Sequence, residues 1–278
     1  MYKHTIYFLI GCPRTGSTFL HNILKNNNKI NLLPKENHFF MTKNVLKKSS
    51  HFDLPKFNLK TPIKYYLDQL DINKINYDIN TLYFYDLKAL KIIKKNFQKS
   101  KFFCFLRNPV NRHISHSVTQ IKKYYLYKGR GDFRFPISDF YNLKKSLVFQ
   151  NQMLLLSNYQ YYKNLIKINN INCKYYSYEN LFKKKNNYIK FLNDIKIKNF
   201  KKNFDYPKHS QKNYPIKMYD ISYLGKIKSL VFKRYYKKKI DETILKFKEK
   251  YPFKFMKKLF LKKNSNLRSH FKKFNFTK

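Results

Sequence analysis

One stretch limits what this chain can become: Gly11-Cys12-Pro13-Arg14-Thr15-Gly16-Ser17-Thr18, set between the apolar run Thr5–Ile10 and the helical pattern Phe19–Lys25. A short, continuously apolar run reads as a strand buried on both faces, which belongs in a parallel sheet. A chain leaving such a strand through a glycine-bearing turn enters a helix whose first backbone N–H groups have no partner within the helix. Those donors, together with the positive end of the helix dipole, make a seat for a phosphate-sized anion.

The same alternation recurs downstream. Asp86–Phe97 has helical spacing at Leu87, Leu90, Ile93 and Phe97, and it leads into a second apolar strand, Phe102–Leu106. Residues 146–168 read as a long helix with Leu147, Leu154, Leu155, Tyr162 and Leu165 inward. Cys173–Tyr178 is a third strand and Phe182–Leu192 a further helix. Residues 42–80, interrupted by Pro55 and Pro62, read as irregular apart from one helix around Tyr65, Tyr66, Leu67 and Leu70. Strands alternating with helices predict an α/β fold, a P-loop-like central parallel sheet flanked by helices on both faces. One domain over 1–261 accounts for the pattern, and 262–278 reads as a loose basic tail after a basic, helical stretch that starts near Lys226.

Charge is the other conspicuous property. Sixty Lys+Arg against 15 Asp+Glu give a formal net charge of +45. Such a field attracts nucleic acid, anionic membrane surfaces or polyanionic glycans. The abundance of Lys, Asn, Ile, Phe and Tyr beside 5 Gly and no Trp is equally what a compositional bias produces, with lysines as solvated faces. No nucleic-acid-binding motif accompanies the charge, so no nucleic-acid partner is expected. Cys12, Cys104 and Cys173 are odd in number and widely spaced, and they read as reduced, mostly buried thiols rather than metal ligands. No run approaches the ~18 apolar residues of a membrane span, and the N-terminus enters a strand almost directly, so a cytoplasmic protein is expected.

Gly11-x-x-x-x-Gly16 has the spacing of a nucleotide-binding P-loop, but Ser17 stands where that motif places the lysine that reaches a β/γ-phosphate. The loop's own cation is Arg14. A second segment, Phe102-Phe103-Cys104-Phe105-Leu106-Arg107-Asn108-Pro109-Val110-Asn111-Arg112-His113-Ile114-Ser115, ends a strand in an arginine and opens a helix carrying a serine. A guanidinium and a hydroxyl so placed can converge on one phosphate through charge-assisted hydrogen bonds. A third, Lys35-Glu36-Asn37-His38-Phe39-Phe40, offers a carboxylate and an imidazole, either of which can take a proton from an alcohol. His38 reads equally as a core-edge histidine between aromatics.

Taken in this order along the chain, the three segments resemble the sulfotransferases that use 3′-phosphoadenosine 5′-phosphosulfate (PAPS), in particular the heparan-sulfate branch and its bacterial relatives. The resemblance implies a transferase that moves a sulfuryl group from PAPS to a hydroxyl, or an amine, of a carbohydrate or glycolipid, without a metal. It implies that Arg14, Thr15, Gly16, Ser17 and Thr18 hold the 5′-phosphosulfate. Arg107 and Ser115 would hold the 3′-phosphate, with Arg112 supporting the turn. Glu36 would be the base, Arg14 a fixed positive clamp, and His38 a polar partner or alternative base. Lys212, in the loop Lys208–Pro215, is a further cofactor contact by the same likeness. Tyr178-Glu179-Asn180-Leu181 is similar to a Tyr-Glu-Asp-Leu segment of the family, with Glu179 capping the next helix. Where the branch often has Lys-Thr-Pro-x-Tyr, this chain has Asn80-Thr81-Leu82-Tyr83.

The implied partner is a saccharide, with an anionic one suited to a basic surface, and peripheral contact with an anionic membrane is compatible. Lys122, Lys123, Lys128, Arg130 and Arg134, interleaved with Tyr124, Tyr125 and Tyr127, form a candidate rim for it. Two other readings stand beside this one: a P-loop kinase or NTPase, and a basic, non-catalytic polyanion-binding protein.

Overall fold

The computed structural model describes residues 4–42, 62–127, 158–183 and 185–197, with isolated helical positions between 238 and 249; the side chains of 120–127 and 182–183 are excepted. Lys212, residues 146–157, the tail 262–278, and the rim residues Lys128, Arg130 and Arg134 lie outside this set, as do the side chains of Lys122, Lys123, Tyr124, Tyr125 and Tyr127.

Five strands form one parallel sheet: β1 Ile6–Leu9, β2 Ile30–Leu32, β3 Ile75–Ile79, β4 Lys101–Leu106 and β5 Cys173–Ser177, in spatial order β2-β3-β1-β4-β5. The helices are α1 Ser17–Lys25, α2 Lys64–Leu67, α3 Leu87–Asn96, α4 Pro109–Tyr127, α5 Tyr159–Ile168, α6 Tyr178–Lys183 and α7 Lys185–Asp194, with a 3-10 turn at Tyr83–Tyr85. The expected α/β architecture is present.

Side chains alternate across β1, and both sides are buried. Ile6, Phe8 and Ile10 join a core with Leu90 and Ile93 of α3 and Tyr159 and Ile166 of α5. Tyr7 and Leu9 join the opposite core with Leu20 and Leu24 of α1 and Tyr188, Phe191 and Leu192 of α7. A strand covered on both faces needs apolar residues at every position, which is why β1 and β4 stand out in the sequence. Asp86 starts α3 by accepting the N–H of Ala89 at 3.1 Å, and Asn158 starts α5 by accepting that of Tyr161 at 3.4 Å.

Residues 42–80 are not irregular throughout, because β3 lies within them, and β2 follows the Asn26-Asn27-Asn28 end of α1. Polar side chains conceal β3. Asn76 and Asp78 are fully buried in the strand, and each finds a partner inside the fold, although Asp78 Oδ1 has none among the described residues. Asn76 accepts from the Asn31 side-chain amide at 2.7 Å and donates to the Asp71 carbonyl at 2.8 Å, while the Tyr66 hydroxyl donates to Asp78 at 2.9 Å. The three cysteines are free thiols, with Cys12 and Cys104 buried.

Candidate functional site

Because the strands are parallel, their C-terminal ends share one edge of the sheet, where ligands gather in open α/β folds. All three signature segments emerge there: the Gly11–Thr18 loop after β1, the Lys35–Phe40 loop after β2, and Arg107–Asn108 after β4. Asn80-Thr81 follows β3 at the same edge.

The first loop is pressed against β4. A Cβ at Gly11 would lie 2.5 Å from the Phe105 backbone nitrogen and 2.8 Å from the Cys104 sulfur, so only glycine fits. Thr15 closes the turn, its buried hydroxyl donating to the Cys12 carbonyl at 2.6 Å. Gly16 caps α1 at φ 96°, a left-handed conformation open to glycine. Gly16 brings no side chain to cap α1, and the first turn holds no acidic residue, an arrangement that suits an anion at the N-terminal donors.

The second segment touches the first. Arg107 Nη1 donates to the Arg14 carbonyl at 3.1 Å, and Arg14 Nε donates to the Ser115 hydroxyl at 3.4 Å. The two segments are therefore joined directly. Arg107 also lies over the Tyr178 ring, 4.8 Å from its centroid. Its Nε is buried and makes no hydrogen bond among the described residues, so an anionic oxygen would satisfy it. Burial lowers the pKa of this guanidinium, while Tyr178 and Glu179 act in the opposite direction.

Below the contact surface the turn is held firmly. Asn108 Oδ1 accepts the N–H groups of Val110 at 3.0 Å and Asn111 at 3.2 Å, and the Asn108 carbonyl accepts that of Arg112 at 2.8 Å. Arg112 is fully buried, its charge felt by Cys12, Tyr85 and Tyr159, which suits support of the turn rather than contact with a ligand. The sequence reading has Glu179 capping the next helix. It does lie in the first turn of α6, but its carboxylate accepts the Asn108 N–H at 2.9 Å and so fastens β5 to the neighbouring loop.

The third segment hangs on β3. The Glu36 N–H donates to the Ile79 carbonyl at 2.9 Å. Thr81 grips both carboxylate oxygens, its N–H reaching Oε2 at 3.1 Å and its hydroxyl Oε1 at 2.9 Å. His38 is buried, with Nδ1 3.0 Å from Asn80 Oδ1. Lys35 Nζ donates to the Thr18 hydroxyl at 2.7 Å, joining this loop to the first turn of α1. Among the described residues, the non-glycine positions with left-handed backbone are Arg14 (φ 70°), Glu36 (56°), His38 (55°), Asn170 (54°) and Lys196 (61°), so three of the five belong to the signature loops. Strain of this kind persists where the surroundings enforce it, and it collects at functional sites.

Asn80, Thr81 and Lys35 had no role assigned from sequence. The hint available was the position of Asn80-Thr81 where the resembling family has Lys-Thr. What hid their contacts is that each joins segments far apart in the chain. Among the described residues, no group of three or more His, Cys, Asp and Glu could hold a metal ion, and no helix is long and apolar enough to cross a membrane.

No protein-family model and no curated protein matches the chain. Solved structures do. A sulfotransferase from Alicyclobacillus acidocaldarius superposes with a TM-score of 0.53 at 12% identity, covering 87% of this chain and 96% of that one. At this identity the likeness establishes a shared fold. The sulfotransferase domain from the curacin biosynthetic pathway aligns over 71% of this chain and 75% of its own at 14% identity and a TM-score of 0.43, too slight a likeness to argue from.

Proposed function

We propose that a chain with this fold and this edge of the sheet is a PAPS-dependent sulfotransferase acting on a carbohydrate hydroxyl. One observation carries the reading: the Arg14 loop and the Arg107–Ser115 segment lie in hydrogen-bond contact, so a single bisphosphorylated nucleotide can lie across both. The uncapped N-terminus of α1 and the unsatisfied Arg107 Nε are the donors such a molecule needs.

PAPS, when bound, supplies the sulfuryl group: the acceptor oxygen bonds to sulfur as the sulfur–oxygen bond to the 5′-phosphate breaks, and adenosine 3′,5′-bisphosphate keeps that electron pair. The backbone N–H groups of residues 14–18, with the hydroxyls of Ser17 and Thr18, receive the 5′ end. Arg107 and Ser115 receive the 3′-phosphate, and Arg14, bonded to Ser115, adds positive charge between the two ends. Glu36 takes the acceptor proton; Thr81 fixes its carboxylate and leaves each oxygen a second lone pair. His38, buried against Asn80, holds the shape of this loop. Acceleration rests on alignment and on charges fixed before the reaction begins. A saccharide acceptor fits the resemblance to the carbohydrate branch, and the basic surface favours an anionic one.

The test is transfer of radiolabelled sulfate from PAPS to a panel of lipid-linked and polymeric glycans. The wild-type protein is expected to label at least one glycan, and Glu36→Gln to bind adenosine 3′,5′-bisphosphate normally yet transfer nothing. Wild-type transfer by Glu36→Gln would remove Glu36 from the base role, and stabilisation of the protein by Mg-ATP alone would assign the loop to nucleoside triphosphates.

A further inference from the structure

We infer that Lys35, reaching in from the loop after β2, is the cation that binds the 5′ end of the donor nucleotide, an end that the loop's own arginine does not face. The inference rests on the donor reading above and adds a ligand contact to it.

Ser17 stands where a P-loop carries its lysine. Arg14 does not fill that place: at φ 70° its guanidinium is turned to the Ser115 hydroxyl of α4. The ammonium found at the first turn of α1 belongs to Lys35, whose Nζ lies 2.7 Å from Thr18 Oγ1. A hydroxyl that accepts from an ammonium still has its own proton to donate. Any anion bonded to Thr18 therefore lies within one hydroxyl of the Lys35 charge.

Lys35 is held for this purpose at both sides. The N–H groups of Leu33 and Glu36 donate to the Tyr77 and Ile79 carbonyls of β3 at 3.0 and 2.9 Å, which fixes the short segment between them. Its field is already felt along α1. Burial, and then the charges of Lys35 and Lys25, hold the His21 imidazole below its usual range. The neighbouring residue is Glu36, so one short loop presents a cation to the donor and a carboxylate to the acceptor.

Calorimetry with two nucleotides, without magnesium and in about 0.15 M salt, separates the ends. Adenosine 3′,5′-bisphosphate carries the 5′-phosphate and adenosine 3′-monophosphate lacks it. Lys35→Met is expected to weaken the bisphosphate about tenfold, the loss of one charge-assisted hydrogen bond, and to change the monophosphate less than about twofold. Lys35→Arg should recover most of the lost affinity, and Lys35→Gln should repeat the Met result if that variant folds poorly. Equal weakening of both nucleotides would make Lys35 a structural tie between loops and overturn the inference. So would an unchanged bisphosphate affinity in a setting where the wild-type protein binds it. Failure of the wild-type protein to bind either nucleotide would overturn the donor reading itself, and this inference with it.

Discussion

At the scale of the residue, the candidate site is built from groups that hold one another rather than wait in solvent. Thr81 shows this best, because its side chain and main chain together set the Glu36 carboxylate. Thr81→Val keeps the N–H bond and removes the hydroxyl bond. The expected result is a kcat lowered by about five- to tenfold with affinity for adenosine 3′,5′-bisphosphate unchanged, since the loss of one hydrogen bond misaligns the proposed base and not the nucleotide. Steady-state kinetics beside a binding titration would reveal the split, and a change in nucleotide affinity alone would place Thr81 in the wrong role. Arg107, Ser115 and Glu36 were legible in the sequence because each sits in a compact local pattern. Thr81 and Lys35 were not, because their significance arises only when the ends of β2 and β3 and the start of α1 are brought together.

At the scale of the element, the same contrast separates β1 and β4 from β3. β1 and β4 announce themselves as apolar runs, whereas β3 reads Ile75-Asn76-Tyr77-Asp78-Ile79 and hides two buried polar groups. A strand with a buried carboxyl leaves a mark on stability. Burial, aided by the Glu36 charge, outweighs the hydrogen bond from Tyr66 and raises the Asp78 pKa from 3.8 to about 7. The unfolded chain ionises near the ordinary value, so the folded state holds an extra proton between these limits. This contribution is fully present below about pH 4 and is lost as pH rises through about 7. Thermal or urea unfolding between pH 4 and 8 should show the decline, on the order of a few kcal/mol, and Asp78→Asn should flatten it. An identical slope in that variant would show that Asp78 is ionised throughout. The reading of 42–80 as irregular failed because hydrophobic patterning cannot detect a strand whose polar side chains find partners inside the fold.

At the scale of the whole molecule, topology does what no single motif could. An all-parallel sheet delivers the loops after β1, β2, β3 and β4 to one edge, and segments remote in sequence become one surface. Order along the chain made that convergence legible in outline. The place of the proposed saccharide acceptor was not, since sugars are bound by scattered aromatic and charged side chains that carry no fixed spacing. The net charge of +45 draws any anion towards the protein, so a demonstration of specific nucleotide binding must hold at physiological ionic strength. The most direct measurement is the shift in melting temperature produced by adenosine 3′,5′-bisphosphate in 0.15 M salt without magnesium, for the wild-type protein and Arg107→Ala. The account predicts clear, saturable stabilisation of the wild type that Arg107→Ala abolishes. No stabilisation, or an effect that survives Arg107→Ala undiminished, would contradict it.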